Sequence, residues 1–313
     1  MRVGIDLGGT TIKCGIVNDN GKVLFQGSKP TRVSDGFEII VDDIAGLVRE
    51  LLAKANMSLS DIISIGIGIP GIADYNTGNV IYCTNLSWEN VPLAVRLQDK
   101  LGIKVCVDND ATVAALAESL FGSTKGAQNS VFLTLGTGIG GGILINGKIY
   151  SGSHGAGSEI GHMIVGENFY DCNCGKNGCL ETFASATALK KYAGYLLNNS
   201  NQASSLRKMC NGDYDSIEAK MVFDAARAGD KLAEAVIDRM IKYLSIGIVN
   251  IYNLLDPDMI AIGGGVSKAG DYLLELLRKQ VKKLVFNCNI GYGEIVIAEL
   301  ENDAGIVGAA FLE

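Results

Sequence analysis

The sequence predicts an α/β protein of two domains with a cleft between them. Its 313 residues are enough for two domains that each have a core. Apolar strands, glycine-rich turns and helical segments alternate along the chain, as is typical of α/β folds. One strand–turn–strand unit also occurs twice. With 48% hydrophobic and 19% charged residues, the composition is that of a soluble globular enzyme.

The repeated unit is a β-hairpin followed by a third strand. One copy covers residues 3–23 and the other covers residues 131–149. In each copy a Gly/Thr turn joins two apolar strands, and an Asn/Gly turn leads to the third strand. Asn-Gly between apolar runs is a strong hairpin signal. The alternative is a chance similarity of two glycine-rich turns. The repetition favours two related domains.

Apolar spacing after each copy of the unit predicts further helices and strands. The predicted helices cover residues 37–54, 93–101, 111–120, 187–197, 217–228 and 231–254, with one more that ends at residue 279. The predicted strands cover residues 62–69, 103–107, 259–262 and 294–298, and a final segment covers residues 302–312.

Composition also bears on location and partners. The net charge of −7 disfavours nonspecific nucleic-acid binding. The first predicted strand begins at residue 2, so we expect no signal peptide, and no apolar run reaches the length that spans a membrane. The sequence therefore predicts a cytoplasmic protein.

The eight cysteines are too few for a disulfide scaffold. Five of them lie in apolar or mixed surroundings and are predicted to be packed free thiols: Cys14, Cys83, Cys106, Cys210 and Cys288. Free thiols, together with the cysteine loop described next, indicate a reducing compartment.

The other three cysteines form a compact loop. Cys172, Cys174 and Cys179 have C-x-C-x4-C spacing, and His162 lies ten positions upstream. These four residues supply the number of soft ligands that a tetrahedral structural zinc needs. Unrelated buried thiols are the alternative. Glu159 and Glu181 flank the cluster as polar groups that the metal would hold in place.

Three glycine-rich turns are candidate anion sites, because such turns present backbone N–H groups. They are Gly8-Gly9-Thr10-Thr11, Gly136-Thr137-Gly138 and Gly263-Gly264-Gly265. None matches the P-loop or dinucleotide fingerprint. Together they predict phosphates held from both domains.

Two carboxylates complete the predicted phosphoryl-transfer site. Asp6 ends the first strand beside a glycine turn and is placed to hold Mg²⁺, although a turn-capping role is the alternative. Asp110 lies where a strand meets a helix, within Asp108-Asn109-Asp110-Ala111, and an ordinary helix cap is again the alternative. Phosphoryl transfer needs one carboxylate to accept the proton of the acceptor hydroxyl. Asn109 could hydrogen-bond a polyol.

These motifs make the chain similar to the ROK (repressor, open reading frame, kinase) family of sugar kinases, of the actin-like/hexokinase (ribonuclease H-like) fold. Within the family it looks most like the ATP-dependent glucokinases of Gram-positive bacteria, and the resemblance covers essentially the whole chain. It is carried by D-L-G-G-T-T at 6–11, P-G at 70–71, T-N-L-S-W at 84–88, D-N-D-A at 108–111, L-G-T-G-I-G-G-G at 135–142, E-I-G-H at 159–162, C-N-C-G-K-N-G-C-L-E-T at 172–182, I-G-G-G-V at 262–266 and N-D-A-G at 302–305.

The resemblance implies a role for each matching residue. Asp110 would be the catalytic base, and Asp6 would serve Mg²⁺. The sugar would be bound by Gly71, Asn85, Asn109, Asp110, Glu159, His162 and Glu181. ATP would be bound by Asp6, Gly8, Gly9, Thr10, Thr11, Lys13, Gly136, Thr137, Gly138, Gly264 and Gly265. A structural zinc would be held by His162, Cys172, Cys174 and Cys179, with the second ring nitrogen of His162 reaching the sugar.

The resemblance further implies ATP-dependent phosphorylation of glucose at the 6-hydroxyl by a homodimer. It implies a small domain of residues 1–121 plus 300–313 and a large domain of residues 122–299. We expect no N-terminal DNA-binding module of the kind that ROK repressors carry. Three alternatives remain: a kinase for N-acetylmannosamine, mannose, fructose or allose, a non-catalytic sugar sensor, and an actin-like or chaperone-type ATPase. Polyphosphate is an alternative donor, although the absence of a Lys/Arg-rich run favours ATP.

Overall fold

A computed structural model describes residues 1–287 and 289–313 of the chain. Its strands are β1 (Arg2–Leu7), β2 (Thr11–Val17), β3 (Val23–Pro30), β4 (Ile65–Ile69), β5 (Ile72–Asp74), β6 (Asn79–Cys83), β7 (Trp88–Val91), β8 (Val105–Asn109), β9 (Ser130–Leu135), β10 (Ile139–Ile145), β11 (Lys148–Ile149), β12 (Met259–Gly263) and β13 (Glu294–Ile297). Its helices are α1 (Phe37–Lys54), α2 (Leu93–Leu101), α3 (Asp110–Phe121), α4 (Glu181–Ala184), α5 (Ala186–Asn199), α6 (Leu206–Met209), α7 (Ala219–Arg227), α8 (Lys231–Leu255), α9 (Asp271–Leu284) and α10 (Ala304–Ala310).

The first sheet has the strand order β3-β2-β1-β4-β8. Its first three strands pair antiparallel, which confirms the hairpin unit predicted at residues 3–23. The remaining neighbours, β1 with β4 and β4 with β8, are parallel. The parallel strands therefore end at one edge of the sheet.

The second sheet repeats this arrangement, with the order β11-β10-β9-β12-β13. Its three hairpin strands come from residues 130–149, and its last two strands are parallel to each other. Both sheets thus carry a three-strand hairpin unit followed by two later strands. This shared order confirms the internal repeat.

A third, small sheet was not predicted. It has the order β5-β6-β7 and consists of antiparallel strands of three to five residues. These strands are short and lie between Pro70 and Pro92, so their alternation does not extend far enough to be recognised in the sequence.

Strand β8 ends two residues later than predicted. Its parallel register with β4 continues to the pair Ile69–Asn109, and α3 begins at the next residue, Asp110. Strand β4 begins at Ile65, three residues after the predicted start at Ile62. The late end of β8 places Asn109 and Asp110 directly on the strand–helix junction.

The chain divides into two compact units. Unit 1 comprises residues 1–132, 142–158 and 299–313. It contains the whole first sheet, and α10 packs against β1, β4 and α3. This contact needs glycine in the sheet, because a Cβ on Gly4 would lie 1.8 Å from the carbonyl oxygen of Ile306, and one on Gly66 would lie 1.7 Å from that of Ala309. Ile306 and Ala309 themselves are buried.

Unit 2 comprises residues 133–141 and 159–298. Its centre is α8, a helix of 25 residues that packs against α4, α5, α7 and α9. The helix is capped by Asp230, whose side chain accepts hydrogen bonds from the amides of Leu232 and Ala233. Leu244 and Ile248, in the middle of α8, are fully buried.

Four of the five cysteines predicted to be packed thiols, Cys14, Cys83, Cys106 and Cys210, are buried and free of disulfides, which confirms the prediction for them. Cys288 lies outside the described residues. Within the described ranges, none of the helices is both long enough and apolar enough to cross a membrane.

Candidate active site

The carboxyl edge of the first sheet gathers the predicted residues of unit 1. Parallel strands β1, β4 and β8 are neighbours, with Asp6 paired to Gly68 and Gly68 paired to Asp108. Asp6, Gly71 and Asn109 therefore lie at or just beyond the ends of adjacent strands. Ligands of α/β proteins bind at this edge of a sheet.

The strand–helix junction is fixed by its own hydrogen bonds. The Asn109 side-chain oxygen accepts from the amides of Ala111 and Thr112, at 2.9 and 3.2 Å, and so caps α3. Its side-chain amide donates to the carbonyl oxygen of Gly71 at 3.1 Å. The predicted cap is thus real, and it falls on Asn109. Asp110 is the first helical residue.

Asp108 is the buried member of this junction, with 4% of its surface exposed. Its Oδ1 accepts from the amide of Asn109 at 2.7 Å, whereas its Oδ2 has no hydrogen-bond partner among the residues that the structure describes. Burial raises the pKa of Asp108 to about 6, because the low-dielectric surroundings disfavour the charged carboxylate.

Asp6 forms an ion pair with Lys13, with 3.1 Å between Oδ2 and Nζ. The two residues face each other across the β1–β2 hairpin. The turn between these strands is held by the Thr31 hydroxyl, which donates to the carbonyl oxygen of Gly8 at 2.7 Å. Gly9 lies against Asn85: a Cβ on Gly9 would be 3.1 Å from the Asn85 Cβ. The predicted turn, Lys13 and Asn85 thus share one region of unit 1.

Gly305 lies beside Asp6. The sequence motifs predicted no role for Gly305. A Cβ on Gly305 would lie 3.3 to 3.5 Å from the Asp6 carboxylate. Gly305 belongs to the N-D-A-G motif, so the motif itself was the available signal. A side chain at position 305, in the first turn of α10, would fit tightly against the Asp6 side chain.

In unit 2, His162, Cys172, Cys174 and Cys179 form a cluster that could hold one metal ion. Their ligand atoms all lie within 4.8 Å of one another. The sulfurs of Cys174 and Cys179 are 3.6 Å apart, and the Cys172 sulfur is 3.6 Å from His162 Nδ1. Cys172 and Cys179 are buried, whereas Cys174 and His162 are exposed. The residues predicted as metal ligands are therefore brought together.

The two ring nitrogens of His162 face different partners. Nδ1 faces the cysteine sulfurs, and Nε2 lies 3.8 Å from Glu159 Oε2. A metal on Nδ1 would fix the ring and leave Nε2 to another polar group.

Glu181 lies between the cysteine loop and a glycine turn. Its Oε1 is 2.9 Å from the Cys172 sulfur, and its Oε2 accepts weakly from the amide of Ile139 at 3.4 Å. Ile139 directly follows the turn at residues 136–138, which is closed by a hydrogen bond from the Gly136 amide to the Gly138 carbonyl at 3.0 Å. This turn and the metal cluster are thus joined through one carboxylate.

The glycine turn at residues 263–265 packs against the end of β9, the strand that leads to the turn at residues 136–138. A Cβ on Gly264 would lie 2.6 Å from the carbonyl oxygen of Leu135, which precedes Gly136. The Ser267 hydroxyl donates to the Gly264 carbonyl at 2.8 Å and closes the turn. Gly265 begins the short helical segment that follows.

An asparagine–arginine network supports the cysteine loop, and sequence reasoning missed it. The Asn177 side-chain amide donates to the carbonyl oxygen of Asn168 at 3.0 Å. The Asn168 side-chain amide donates to the carbonyl oxygen of Thr182 at 2.8 Å, while its Oδ1 accepts from Arg239 at 2.7 Å. Arg239 comes from α8, and its guanidinium also lies 4.6 Å from the centroid of the Phe183 ring. No local pattern indicates contacts between residues so far apart in sequence.

The predicted site residues fall into two groups. Unit 1 holds Asp6, Gly8, Gly9, Thr10, Thr11, Lys13, Gly71, Asn85, Asn109 and Asp110. Unit 2 holds Gly136, Thr137, Gly138, Glu159, His162, Cys172, Cys174, Cys179, Glu181, Gly264 and Gly265.

Comparison with known proteins identifies the class. The model of the ROK family matches residues 2–313. A glucokinase of Halalkalibacterium halodurans is 40% identical over 99% of this chain and 94% of its own length, and one of Thermotoga maritima is 39% identical over 98% and 95%. A crystal structure of a Streptomyces griseus ROK glucokinase with glucose and AMPPNP is 34% identical, with a TM-score of 0.82 over 99% of this chain and 98% of its own.

The chain therefore belongs to the ROK family, as its motifs indicated. The structural similarity also confirms the predicted actin-like/hexokinase fold class.

Proposed function

We propose that the chain is an ATP-dependent glucokinase, an ATP:hexose 6-phosphotransferase that transfers the γ-phosphoryl group to the 6-hydroxyl of glucose. The observation that carries the proposal is the pair of carboxylates at one edge of the first sheet. Asp110 directly follows β8 and Asp6 is the next-to-last residue of β1, with only β4 between the two strands. A base and a magnesium ligand at one sheet edge suit phosphoryl transfer. The full-length glucokinase relatives support glucose as the acceptor.

In this proposal, Asp110 accepts the proton of the 6-hydroxyl as that oxygen attacks the γ-phosphorus. Asn109 orients the sugar, since its side chain is held by Gly71 and by the start of α3. Gly71, Asn85, Glu159, His162 and Glu181 complete the proposed set of sugar ligands. The Asp110 carboxylate, which accepts the proton of the substrate hydroxyl, is thus held in place at the start of α3.

The donor phosphates are proposed to bind backbone amides of the turns at residues 8–11 and 136–138, together with Lys13. Gly264 and Gly265 are proposed to border the adenosine. Mg²⁺ bound with ATP would offset the negative charge of the phosphates, and Asp6 is proposed to hold it.

We propose zinc as the metal of the cysteine cluster. Tetrahedral zinc with bonds of about 2.3 Å to sulfur and about 2.0 Å to nitrogen separates its ligand atoms by about 3.5–3.8 Å. The observed separations of 3.6 Å suit this geometry. Four protein ligands leave no open position for substrate, so the zinc would be structural. Metal analysis of purified protein should find one zinc per chain.

We also propose a glycolytic enzyme that acts in the cytoplasm as a homodimer. The free thiols suit a reducing compartment, and a symmetric dimer is the commonest assembly of soluble enzymes. The division into functional domains of residues 1–121 plus 300–313 and residues 122–299 stays a proposal as well. Sedimentation would test the dimer.

The deciding experiment measures ADP release, coupled to a reporter enzyme, with Mg-ATP and a panel of glucose, mannose, N-acetylmannosamine, fructose and allose. Strong turnover with glucose alone supports the proposal. Preference for another sugar would leave Asp110 as the proposed base and would change the proposed substrate. No turnover with any sugar, in protein shown to hold zinc, favours a sugar sensor. A parallel assay with polyphosphate in place of ATP tests the donor.

A further inference from the structure

Unit 2 contains a pocket of about 290 Å³ beside the glycine turn at residues 136–138. Thr137, Gly138 and Glu181 form one part of its lining, and Thr187 and Lys191, both on α5, form another. The turn and Glu181 already have proposed roles, whereas the α5 residues have none. The pocket therefore extends the proposed phosphate turn towards a helix that no motif singled out.

Lys191 brings a positive charge to this pocket. Its Nζ lies 4.1 Å from the centroid of the Tyr170 ring, which it approaches face-on. The ring is itself anchored, because the Tyr170 hydroxyl donates to the carbonyl oxygen of Thr182 at 2.7 Å. Lys191 is thus held in place by an aromatic face.

No carboxylate in the described ranges lies within ion-pair distance of Lys191, whereas Lys220 and Lys231 each pair with an acidic residue. Lys191 is also the one cationic side chain among the described residues that line the pocket. An ammonium group has three donors, and an aromatic ring satisfies none of them as a hydrogen bond. Its donors are therefore open to a ligand.

Hydroxyl groups add to this donor set. Within the part of the chain that the structure describes, neither the Thr187 nor the Thr137 hydroxyl forms a hydrogen bond with another residue. Ser185, in contrast, is used as the cap of α5 and accepts from the amide of Ala188 at 3.0 Å. Thr187 and Lys191 are four positions apart on α5, so they share one face of the helix.

We propose that Lys191 and Thr187 bind phosphate groups of the magnesium–nucleotide donor in this pocket, next to the turn at residues 136–138. The inference rests on the proposed kinase function and assigns two further donor-binding residues to it. The lining also includes the carboxylates of Glu181 and Asp171. These would repel a bare anion, whereas a magnesium-bound phosphate chain carries a compensating cation.

The same phosphate chemistry could belong to the sugar phosphate product, and the experiment separates the two sources. We would compare wild type with K191M and T187V, and use K190M as the matched control, because Lys190 is the preceding residue of α5 and does not line the pocket. For each protein, the measurements are the KM for Mg-ATP, the KM for glucose, inhibition by glucose 6-phosphate, and Mg-ADP binding by calorimetry without sugar.

The expected result for K191M is a rise of about tenfold in both the KM for Mg-ATP and the Kd for Mg-ADP, as for the loss of one charge-assisted contact. T187V should show a smaller rise, and K190M should match wild type. The KM for glucose should stay unchanged in all of them. Thermal unfolding curves that match wild type would show that the variants are folded.

Unchanged nucleotide affinity in K191M would overturn the proposal. It would also be overturned if only inhibition by glucose 6-phosphate weakened, because the pocket would then hold the product phosphate. Should wild type turn over no sugar at all, the kinase proposal fails. Mg-ADP binding by wild type and K191M would still decide the role of Lys191.

Discussion

The junction at residues 108–110 and the cysteine loop at residues 172–179 hold their functional side chains by opposite means. At the junction, Asp108 Oδ1 and the Asn109 side-chain oxygen accept from backbone amides within a few residues, and a longer link joins Asn109 to Gly71. In the loop, ligand atoms from His162 and three cysteines converge around one point. Secondary structure alone orders the first arrangement. If the cluster binds the proposed zinc, the second arrangement depends on that ion and is expected to respond to chelation.

The largest expected effect concerns the junction. Asp110→Asn should keep the fold and the sugar affinity but lower turnover by at least about 10²-fold, because the amide cannot accept the proton of the hydroxyl. Steady-state kinetics and calorimetric glucose binding would measure both. Asp99→Asn, an exposed change on α2, is the control. Near-normal turnover in Asp110→Asn would remove the base assignment.

The next largest effect is expected in α3, the helix that begins at the junction. Glu118 of α3 is fully buried and accepts from the amides of Ser123, Glu299 and Leu300, at 2.7, 3.2 and 2.8 Å. Glu118→Ala would leave these three amides and the Ser123 hydroxyl without their acceptor and should lower the free energy of unfolding by about 3 kcal/mol. Urea denaturation measures this loss.

Glu50→Ala is the control for this experiment, because Glu50 makes an exposed pair with Lys29 and should contribute less than about 1 kcal/mol. Equal losses of unfolding free energy in the two variants would show that the Glu118 carboxylate does not stabilise the segment at residues 299–300.

A third effect depends on pH. The pKa of folded Asp108 is raised to about 6 from a reference of 3.8, so the folded protein keeps a proton that the unfolded chain has released. The free energy of unfolding of wild type should therefore fall, relative to Asp108→Asn, as pH rises from about 4 to about 6, by about 2 kcal/mol. Denaturation curves across this range test the sign. If the difference in the free energy of unfolding between wild type and Asp108→Asn did not change with pH, Asp108 would have the same pKa in the folded and unfolded states.

The smallest expected effect concerns the cysteine loop, the second region of the comparison. Cys174→Ser should abolish tight metal binding and weaken glucose affinity by about tenfold, since His162 would lose its fixed orientation. Metal analysis and calorimetry would measure these changes, with Cys210→Ser as a control at a buried thiol outside the loop. Loss of metal with normal glucose affinity would separate the loop from sugar binding.

Sequence patterns predicted some parts of this molecule to the residue. Helices α1 and α2 have the predicted bounds, because each has an apolar stripe that runs its full length and ends where the stripe ends. The clustering of His162, Cys172, Cys174 and Cys179 could be predicted, because the three cysteines lie close together within one loop. The repeat was visible because both copies keep the same order of turns.

Other parts depend on contacts that sequence does not display. Glu118 has the residue type of an exposed helical position, and only the distant segment at residues 299–300 makes it a buried anchor. Arg239 reaches Asn168 across 71 positions of sequence. Lys191 looks like an ordinary surface lysine until the Tyr170 ring is placed beside it. Each of these roles arises from tertiary packing.

The docking of α10 on β1 and β4 has a consequence for biosynthesis. The strands that start unit 1 are translated before unit 2, yet Ile306 and Ala309, which cover Gly4 and Gly66, are translated only after all of unit 2. Unit 2 can complete its own core while synthesis continues, but the early strands must wait with one face uncovered. Nascent chains are therefore expected to be most vulnerable to proteases and aggregation in β1 and β4, until α10 has been translated.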